Sequence, residues 1–261
     1  MPSFLSIYSG VTILQKKQLL PRAFEINNYE KIKELICKQS FKKLKILLTG
    51  RGRAAKGSLE VLEHANIKQV SLTDYLNNRY RDAVFCNITT SEYVERKDGK
   101  DFFSQDFVSN PHEYRSKIKK YLFSTDMLIA SHYWNPKSPK LFSSNEINEF
   151  KNLKIIGDIT CDINGSVPTT IRSSSIAKPY YSIDKNSFKE ILLGKEGIAV
   201  MAVDNLPSEL SIDSSEEFGN SILSEVLPYL INQDDGRINK ATTTSQGKFY
   251  PSFSYLEDFI R

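Results

Sequence analysis

The chain has 261 residues, a formal net charge of +4, 40% apolar residues and 25% charged residues. That is enough for one large domain, or one domain with a smaller companion, around an ordinary core. Cations and anions are interspersed, with no basic block interleaved with aromatics, so a nucleic-acid partner is not expected. An apolar run of about 18 residues is absent, which argues against a membrane span. The first residues lack a basic stretch followed by an apolar one, so a signal peptide is not expected either. Cys37, Cys86 and Cys161 form no CxxC pair, and His64, His112 and His132 are scattered. Metal chemistry therefore has no support, and reduced thiols in a cytoplasmic protein are the expectation.

In chain order, the first predicted element is a helix over residues 26–36, with apolar residues at helical spacing and Asn27 or Asn28 as its cap. Next comes an apolar strand, Lys45-Ile46-Leu47-Leu48-Thr49, which runs into Gly50-Arg51-Gly52-Arg53-Ala54-Ala55-Lys56-Gly57 and then a helix through His64. Gly50-x-Gly52-x-x-Ala55 fits a dinucleotide fingerprint. Gly50 permits the tight turn, Gly52 lets the backbone approach a pyrophosphate, and Ala55 lets helix and strand pack closely. Free N–H groups at the helix start would face the phosphates. The fingerprint has two readings here: a nucleotide site, or a plain strand-to-helix turn.

A second strand is predicted at 67–71, followed by Asp74, placed to accept the ribose hydroxyls or to cap a turn. Residues 75–120 are polar and aromatic and read as an insertion with short elements of its own. A parallel strand is predicted at 125–130, ending at Ser131-His132-Tyr133-Trp134. A helix around 144–150, a strand at 154–159 and a strand at 198–203 follow, the last ending at Asp204-Asn205-Leu206-Pro207. A helix capped by Ser214 or Ser215 is predicted to run towards Leu230, then a strand or hairpin over 242–249 and a short helix near Tyr255. Gly50, His132, Asp158 and Asp204 thus all stand at strand ends, where open α/β sheets bind ligands.

Three stretches resemble one family. Gly157-Asp158-Ile159-Thr160-Cys161-Asp162-Ile163-Asn164-Gly165-Ser166-Val167-Pro168-Thr169-Thr170-Ile171-Arg172 is similar to a segment of the saccharopine dehydrogenases and lysine–2-oxoglutarate reductases. Met201-Ala202-Val203-Asp204-Asn205-Leu206-Pro207-Ser208-Glu209-Leu210, with Ser215-Glu216-Glu217-Phe218-Gly219, resembles the segment that follows it. Ile129-Ala130-Ser131-His132-Tyr133-Trp134 matches more loosely. The resemblance runs from about Leu44 to the C-terminus and groups the chain with alanine dehydrogenase and the transhydrogenase nucleotide-binding domains. It implies an α/β fold, a Rossmann-like doubly wound parallel sheet with helices on both faces, binding NAD or NADP. It also implies hydride transfer at the amine that links lysine to glutarate, with an amino acid as small-molecule substrate. The expected organisation is a connecting segment and substrate-domain remnant at 1–40, the cofactor domain at 41–230, and a C-terminal extension at 231–261.

The chain departs from that family in three places. The family's lysine–histidine acid/base pair has no counterpart before the fingerprint strand, where residues 7–21 resemble only a connecting segment. Leu210-Ser211-Ile212 replaces a Leu-Pro-Arg run. Lys56 stands in a turn where relatives carry small residues. The cofactor candidates are Gly50, Gly52, Arg53, Ala55, Asp74, His132, Tyr133, Asp204, Asn205 and Leu206. The substrate candidates are Asp158, Asp162 and Arg172, the last having a planar fork suited either to a substrate carboxylate or to a structural ion pair. No catalytic residue is assigned. The alternatives to an active oxidoreductase are a non-catalytic nucleotide-binding module, an enzyme half that pairs with a separate substrate-domain chain, or a remnant that binds nothing.

Overall fold

The structure is a computed structural model and describes residues 20–41, 43–192 and 197–259. Expectations for residues 1–19 lie outside the described residues. By its contacts the chain forms two compact units, one up to Ser211 and one from Ile212 onwards. Position 230, expected as a domain boundary, lies inside the second unit.

The first unit begins with helices α1 (Ala23–Ile26) and α2 (Tyr29–Ile36). Asn28 caps α2 by accepting the Lys31 N–H at 2.9 Å. Strand β1 (Lys45–Thr49) leads to helix α3 (Arg53–His64), whose buried face carries Ala55, Ser58, Val61 and Leu62 at helical spacing. Strand β2 (Lys68–Gln69), helix α4 (Leu72–Asn77) and strand β3 (Val84–Ile88) follow. Then come helix α5 (Thr90–Tyr93), strand β4 (Val94–Arg96), helix α6 (Ser104–Ser109), strand β5 (Tyr114–Ser116) and helix α7 (Lys119–Leu122). Strands β6 (Met127–Ala130), β7 (Ile155–Asp158), β8 (Tyr180–Ile183), β9 (Glu190–Ile191) and β10 (Ile198–Met201) complete the unit.

The main sheet has eight strands in the order β2-β3-β1-β6-β7-β10-β8-β9. The strands from β2 to β10 in that order run parallel, while β8 is antiparallel to β10 and β9 to β8. Alternate residues of the parallel strands feed two cores. Ile46, Leu48, Phe85, Met127, Ile129 and Ile155 pack with Ile32, Ile36, Val61 and Leu62 of α2 and α3. Leu47, Cys86, Leu128, Ile156 and Val200 pack with Tyr75, Tyr121, Leu122, Ile147 and Phe150 on the other face. A sheet covered on both faces explains why these strands read as unbroken apolar runs.

Four features differ from the sequence expectation. First, β3 lies within the stretch read as an insertion, yet it is the parallel neighbour of β1, with Leu47 opposite Cys86. Five residues interrupted by Asn87 are too short to show a period. The rest of 75–120 does carry its own elements, an antiparallel β4–β5 hairpin closed by Arg96, which bonds Asp98 at 2.9 Å and pairs with Asp106. Second, β3 stands between β2 and β1, so the second strand is not next to the first as in the usual 3-2-1-4-5-6 order. Third, β8 and β9 extend the sheet antiparallel and were not anticipated. Fourth, the segment around 144–150 is a 3-10 helix, Ser144–Glu149, rather than an α-helix.

In the second unit, helix α8 (Ser211–Ser221) starts earlier than its expected cap, continues through a π turn (Ile222–Val226) and reaches helix α9 (Leu227–Ile231). Helix α10 (Arg237–Ala241) and a hairpin of strands β11 (Thr244–Ser245) and β12 (Lys248–Phe249) follow. Gln246 and Gly247 turn that hairpin with φ of 51° and 77°, the left-handed pair that tight hairpins require. No helix among the described residues is long and apolar enough to cross a membrane.

Candidate functional site

Parallel pairing puts the carboxyl ends of the central strands on one edge. Thr49 is level with Ile88 and Ala130, Ala130 with Asp158, and Gly157 with Met201. The turns after β1, β3, β6, β7 and β10 therefore line the edge where such sheets bind ligands.

The turn after β1 is built for close approach. Gly50 has φ +98°, and a Cβ there would lie 2.8 Å from the Ser131 carbonyl oxygen and 3.0 Å from His132 Cα. Glycine is required on both counts. Its N–H donates to the Ile88 carbonyl at 2.9 Å, and its carbonyl accepts the Asn87 amide at 2.8 Å. Gly52 is different: its φ is −75°, and a Cβ there would meet nothing within 4 Å. It is the N-cap of α3, contributes no side-chain hydrogen bond, and no acidic residue follows in the first helical turn. Arg51, Arg53 and Lys56 are exposed around it. Uncapped N–H groups, the positive helix end and three cations make this an anion-binding end. Ala55 is fully buried. The residues present thus fit the phosphates of a dinucleotide: a locked turn, an open approach and a packed small residue.

Behind the turn lies a set of buried polar side chains. Thr49 Oγ1 and His132 Nδ1 are 2.8 Å apart, and the Ser131 N–H donates to Thr49 Oγ1 at 3.3 Å. Ser58 Oγ of α3 is 3.1 Å from Ser131 Oγ. Thr49, Ser58, Asn87 and Ser131 were not singled out from sequence. Asn87 offered a signal, a polar residue inside the apolar run Val84-Phe85-Cys86-Asn87-Ile88. His132 is buried, its Nε2 has no hydrogen-bond partner, and burial pushes its imidazole down to about 4, so it is neutral. Tyr133 beside it is 91% exposed.

Asp74 sits in the first turn of α4. Its N–H donates to Ser71 Oγ at 3.1 Å, and its carboxylate accepts Ser71 Oγ at 2.8 Å and the Asn78 amide at 3.1 Å. The strand ending beside Gly50 is β3, not β2. The residues following it are Thr89, Thr90, Ser91 and Glu92, and Glu92 accepts the Thr89 N–H at 2.5 Å.

The turns after β7 and β10 form a second group. Asp158 is fully buried and accepts the hydroxyls of Thr160 at 2.6 Å and Thr170 at 2.5 Å. Burial pushes its carboxyl up to about 6, against the pull of those hydrogen bonds. Cys161 takes φ +51° and Asn164 φ +55°, and a Cβ on Gly165 would fall 2.4 Å from Asp162 Cβ. Burial raises the Asp162 carboxyl. Burial also raises the Cys161 thiol, assisted by the nearby carboxylates of Asp158, Asp162 and Asp204. Asp204 and Asn205 are exposed and Leu206 is buried at the start of a 3-10 turn. Arg172 is engaged, with Nε and a terminal nitrogen 2.9 and 2.7 Å from the two Glu190 oxygens and its guanidinium 4.2 Å from the Tyr181 ring centre.

Residues 85–250 match the family model for the alanine dehydrogenase/PNT C-terminal domain. The chain belongs to that family. It is a family of NAD(P)-binding domains of oxidoreductases. The match begins inside β3, so the part played by the glycine turn is read from the geometry above. The chain is also 28% identical to the alpha-aminoadipic semialdehyde synthase of Arabidopsis thaliana over 244 residues, covering 82% of this chain and 22% of that protein. It is 24% identical to the mitochondrial alpha-aminoadipic semialdehyde synthase of Rattus norvegicus over 259 residues, covering 82% of this chain and 27% of that protein. The chain therefore spans about a quarter of the length of these relatives. The Gly50–Ala55 turn, which precedes the matched residues, and the Asp158–Asp204 turns within them are two parts of one strand-end edge.

Proposed function

We propose that this chain binds NAD or NADP across the turn from Gly50 to Ala55 and serves as the nucleotide half of an oxidoreductase of lysine metabolism. The observation that carries this reading is the open face of Gly52 at the uncapped start of α3. Gly50, Gly52 and the first N–H groups of α3 hold the pyrophosphate, with Arg53 beside them. When bound, the nicotinamide supplies or accepts the hydride. Asn205 and Asp204 stand at the β10 end for the nicotinamide side, and Asp158 and Asp162 flank the substrate side. The substrate class is an amino acid joined through a secondary amine, as between lysine and glutarate. The resemblance and the names of the relatives support that substrate.

NADP is favoured over NAD. Arg51, Arg53 and Lys56 supply positive charge for a 2′-phosphate, and the one carboxylate at the end of the strand beside β1, Glu92, is held on the Thr89 N–H. The acid/base groups are proposed to come from a substrate domain, because His132 is buried and neutral and both Asp158 oxygens already accept hydroxyls. Cys37, Cys86 and Cys161 are free thiols, which supports a reducing compartment, here proposed to be the cytoplasm.

Calorimetric titration of the full chain with NADPH and NADH tests the reading, with Gly52→Asp as the control. Binding that the control abolishes supports it. A folded chain that gives no heat with either cofactor overturns it. Turnover of lysine with 2-oxoglutarate by these 261 residues alone would overturn the proposed source of the acid/base groups.

A further inference from the structure

The Thr49 hydroxyl has three polar neighbours and only one proton. Its oxygen accepts the Ser131 N–H at 3.3 Å. Its proton can go to His132 Nδ1 at 2.8 Å or to the Ile129 carbonyl at 3.5 Å. The Thr49–His132 bond is the shorter of the two, at the length hydroxyl hydrogen bonds prefer, and either partner can carry its proton. The imidazole is buried and packs on Tyr93 of α5, ring centres 5.6 Å apart. Burial alone accounts for its lowered basicity, with no charged neighbour contributing.

Ser131 and His132 therefore grip the glycine turn from both sides. His132 holds the β1 side through Thr49, and Ser131 holds the α3 side through Ser58 at 3.1 Å. Between these two contacts, Gly50 lies directly against the Ser131–His132 backbone. We propose that His132 is a positioning residue for the nucleotide: through its Nδ1 it shares a hydrogen bond with the Thr49 hydroxyl and so fixes where the Gly50–Gly52 turn and the start of α3 stand. This rests on the nucleotide reading above. His132 acts through Thr49 and does not touch the ligand.

The substitutions His132→Ala, His132→Asn and Thr49→Val in the full chain test it, with NADPH affinity read by calorimetry and folding by melting temperature. Asparagine keeps a hydrogen-bonding amide near the Nδ1 position but removes the rest of the ring. One buried hydrogen bond is worth roughly tenfold in an equilibrium at most. We expect His132→Ala and Thr49→Val each to weaken NADPH binding by roughly five- to tenfold. His132→Asn should stay within about twofold of the parent, and the Thr49→Val/His132→Ala pair should lose no more than either alone. Additive losses, unchanged affinity in His132→Ala, or failure of His132→Asn to rescue would each overturn the proposal while leaving the nucleotide reading standing. Absence of NADPH binding by the folded parent chain would overturn both.

Discussion

Thr49 and His132 lie 83 positions apart in the chain and share a 2.8 Å hydrogen bond beside the glycine turn. The bond joins the last residue of β1 to the loop after β6, two strands that pair directly. A local motif, Gly50-x-Gly52-x-x-Ala55, is thus held in shape by a non-local contact. The two glycines in the motif consequently have different duties, and substitution separates them.

Gly50→Ala places a Cβ 2.8 Å from the Ser131 carbonyl in a left-handed backbone. Both effects oppose folding, and the expected loss is about 2 kcal/mol or more. Gly52→Ala meets no atom within 4 Å, so stability should stay within about 0.5 kcal/mol. Urea denaturation distinguishes the two. NADPH affinity of Gly52→Ala should nevertheless fall at least about tenfold, because the methyl group occupies the space a phosphate needs. Equal stability losses in the two variants would contradict this division of roles.

Two buried groups titrate in opposite senses between about pH 4 and pH 6.5. Asp158 is pushed up to about 6. Its folded form holds a proton that the unfolded form releases, so its contribution to stability is present below the unfolded pKa and is lost as pH rises through about 6. His132 is pushed down to about 4. Its contribution is present above the unfolded pKa and is lost as pH falls through about 4. Each shift corresponds to about 3 kcal/mol, and in the parent chain the two largely offset. Relative to the parent, Asp158→Asn should gain stability as pH rises from 4 to 7, and His132→Asn should gain as pH falls over the same range. Denaturant titrations of parent and variants at each pH measure these differences. Parallel profiles for either pair would show that the burial effect on that group is absent.

The strand–turn–helix of β1 and α3 was legible because every signal in it is local: an apolar run, two glycines and an apolar face at helical spacing. The cap of α2 was legible for the same reason, though only as Asn27 or Asn28; the structure gives it to Asn28. Strand β3 was not, since five residues containing Asn87 carry no period and its assignment depends on pairing with β1. Strand β8, Tyr180-Tyr181-Ser182-Ile183, likewise owes its place to antiparallel pairing with β10. At the site, Gly50, Gly52 and Ala55 could be read, whereas Thr49, Ser58 and Ser131 could not. A threonine at a strand end and a serine on a helix look ordinary until the fold brings β1, α3 and the β6 loop together.

Arg172 is occupied by a two-pronged pair with Glu190 and by the face of Tyr181. The pair is half-exposed, so solvent screening keeps its value to about 1 kcal/mol or less. Arg172→Ala and Glu190→Ala should each lower stability by that amount, and the double variant should lose less than their sum. NADPH affinity should not change. A large affinity loss in Arg172→Ala alone, with Glu190→Ala neutral, would move Arg172 from this pair into the binding site.

Asp74 tests which strand end reads the ribose. In the usual strand order the second strand lies beside the first, and its closing acidic residue faces the nucleotide. Here β3 stands between them, and the Asp74 carboxylate is spent on Ser71 and Asn78 at the start of α4. Loss of a polar group at a helix start costs about 1 kcal/mol, so Asp74→Ala should lower stability by that much. Its affinities for NADH and NADPH should stay within about twofold, being below the energy of a single hydrogen bond. Thr89, at the end of β3, follows the opposite rule: Thr89→Asp brings negative charge to the strand end beside Gly50. That variant should weaken NADPH binding more than NADH binding, because only NADPH carries the 2′-phosphate. Calorimetry with both cofactors on both variants decides the matter. If Asp74→Ala loses NADH affinity while Thr89→Asp leaves the NADPH-to-NADH ratio unchanged, the ribose is read from α4 and the proposed preference for NADP fails with it.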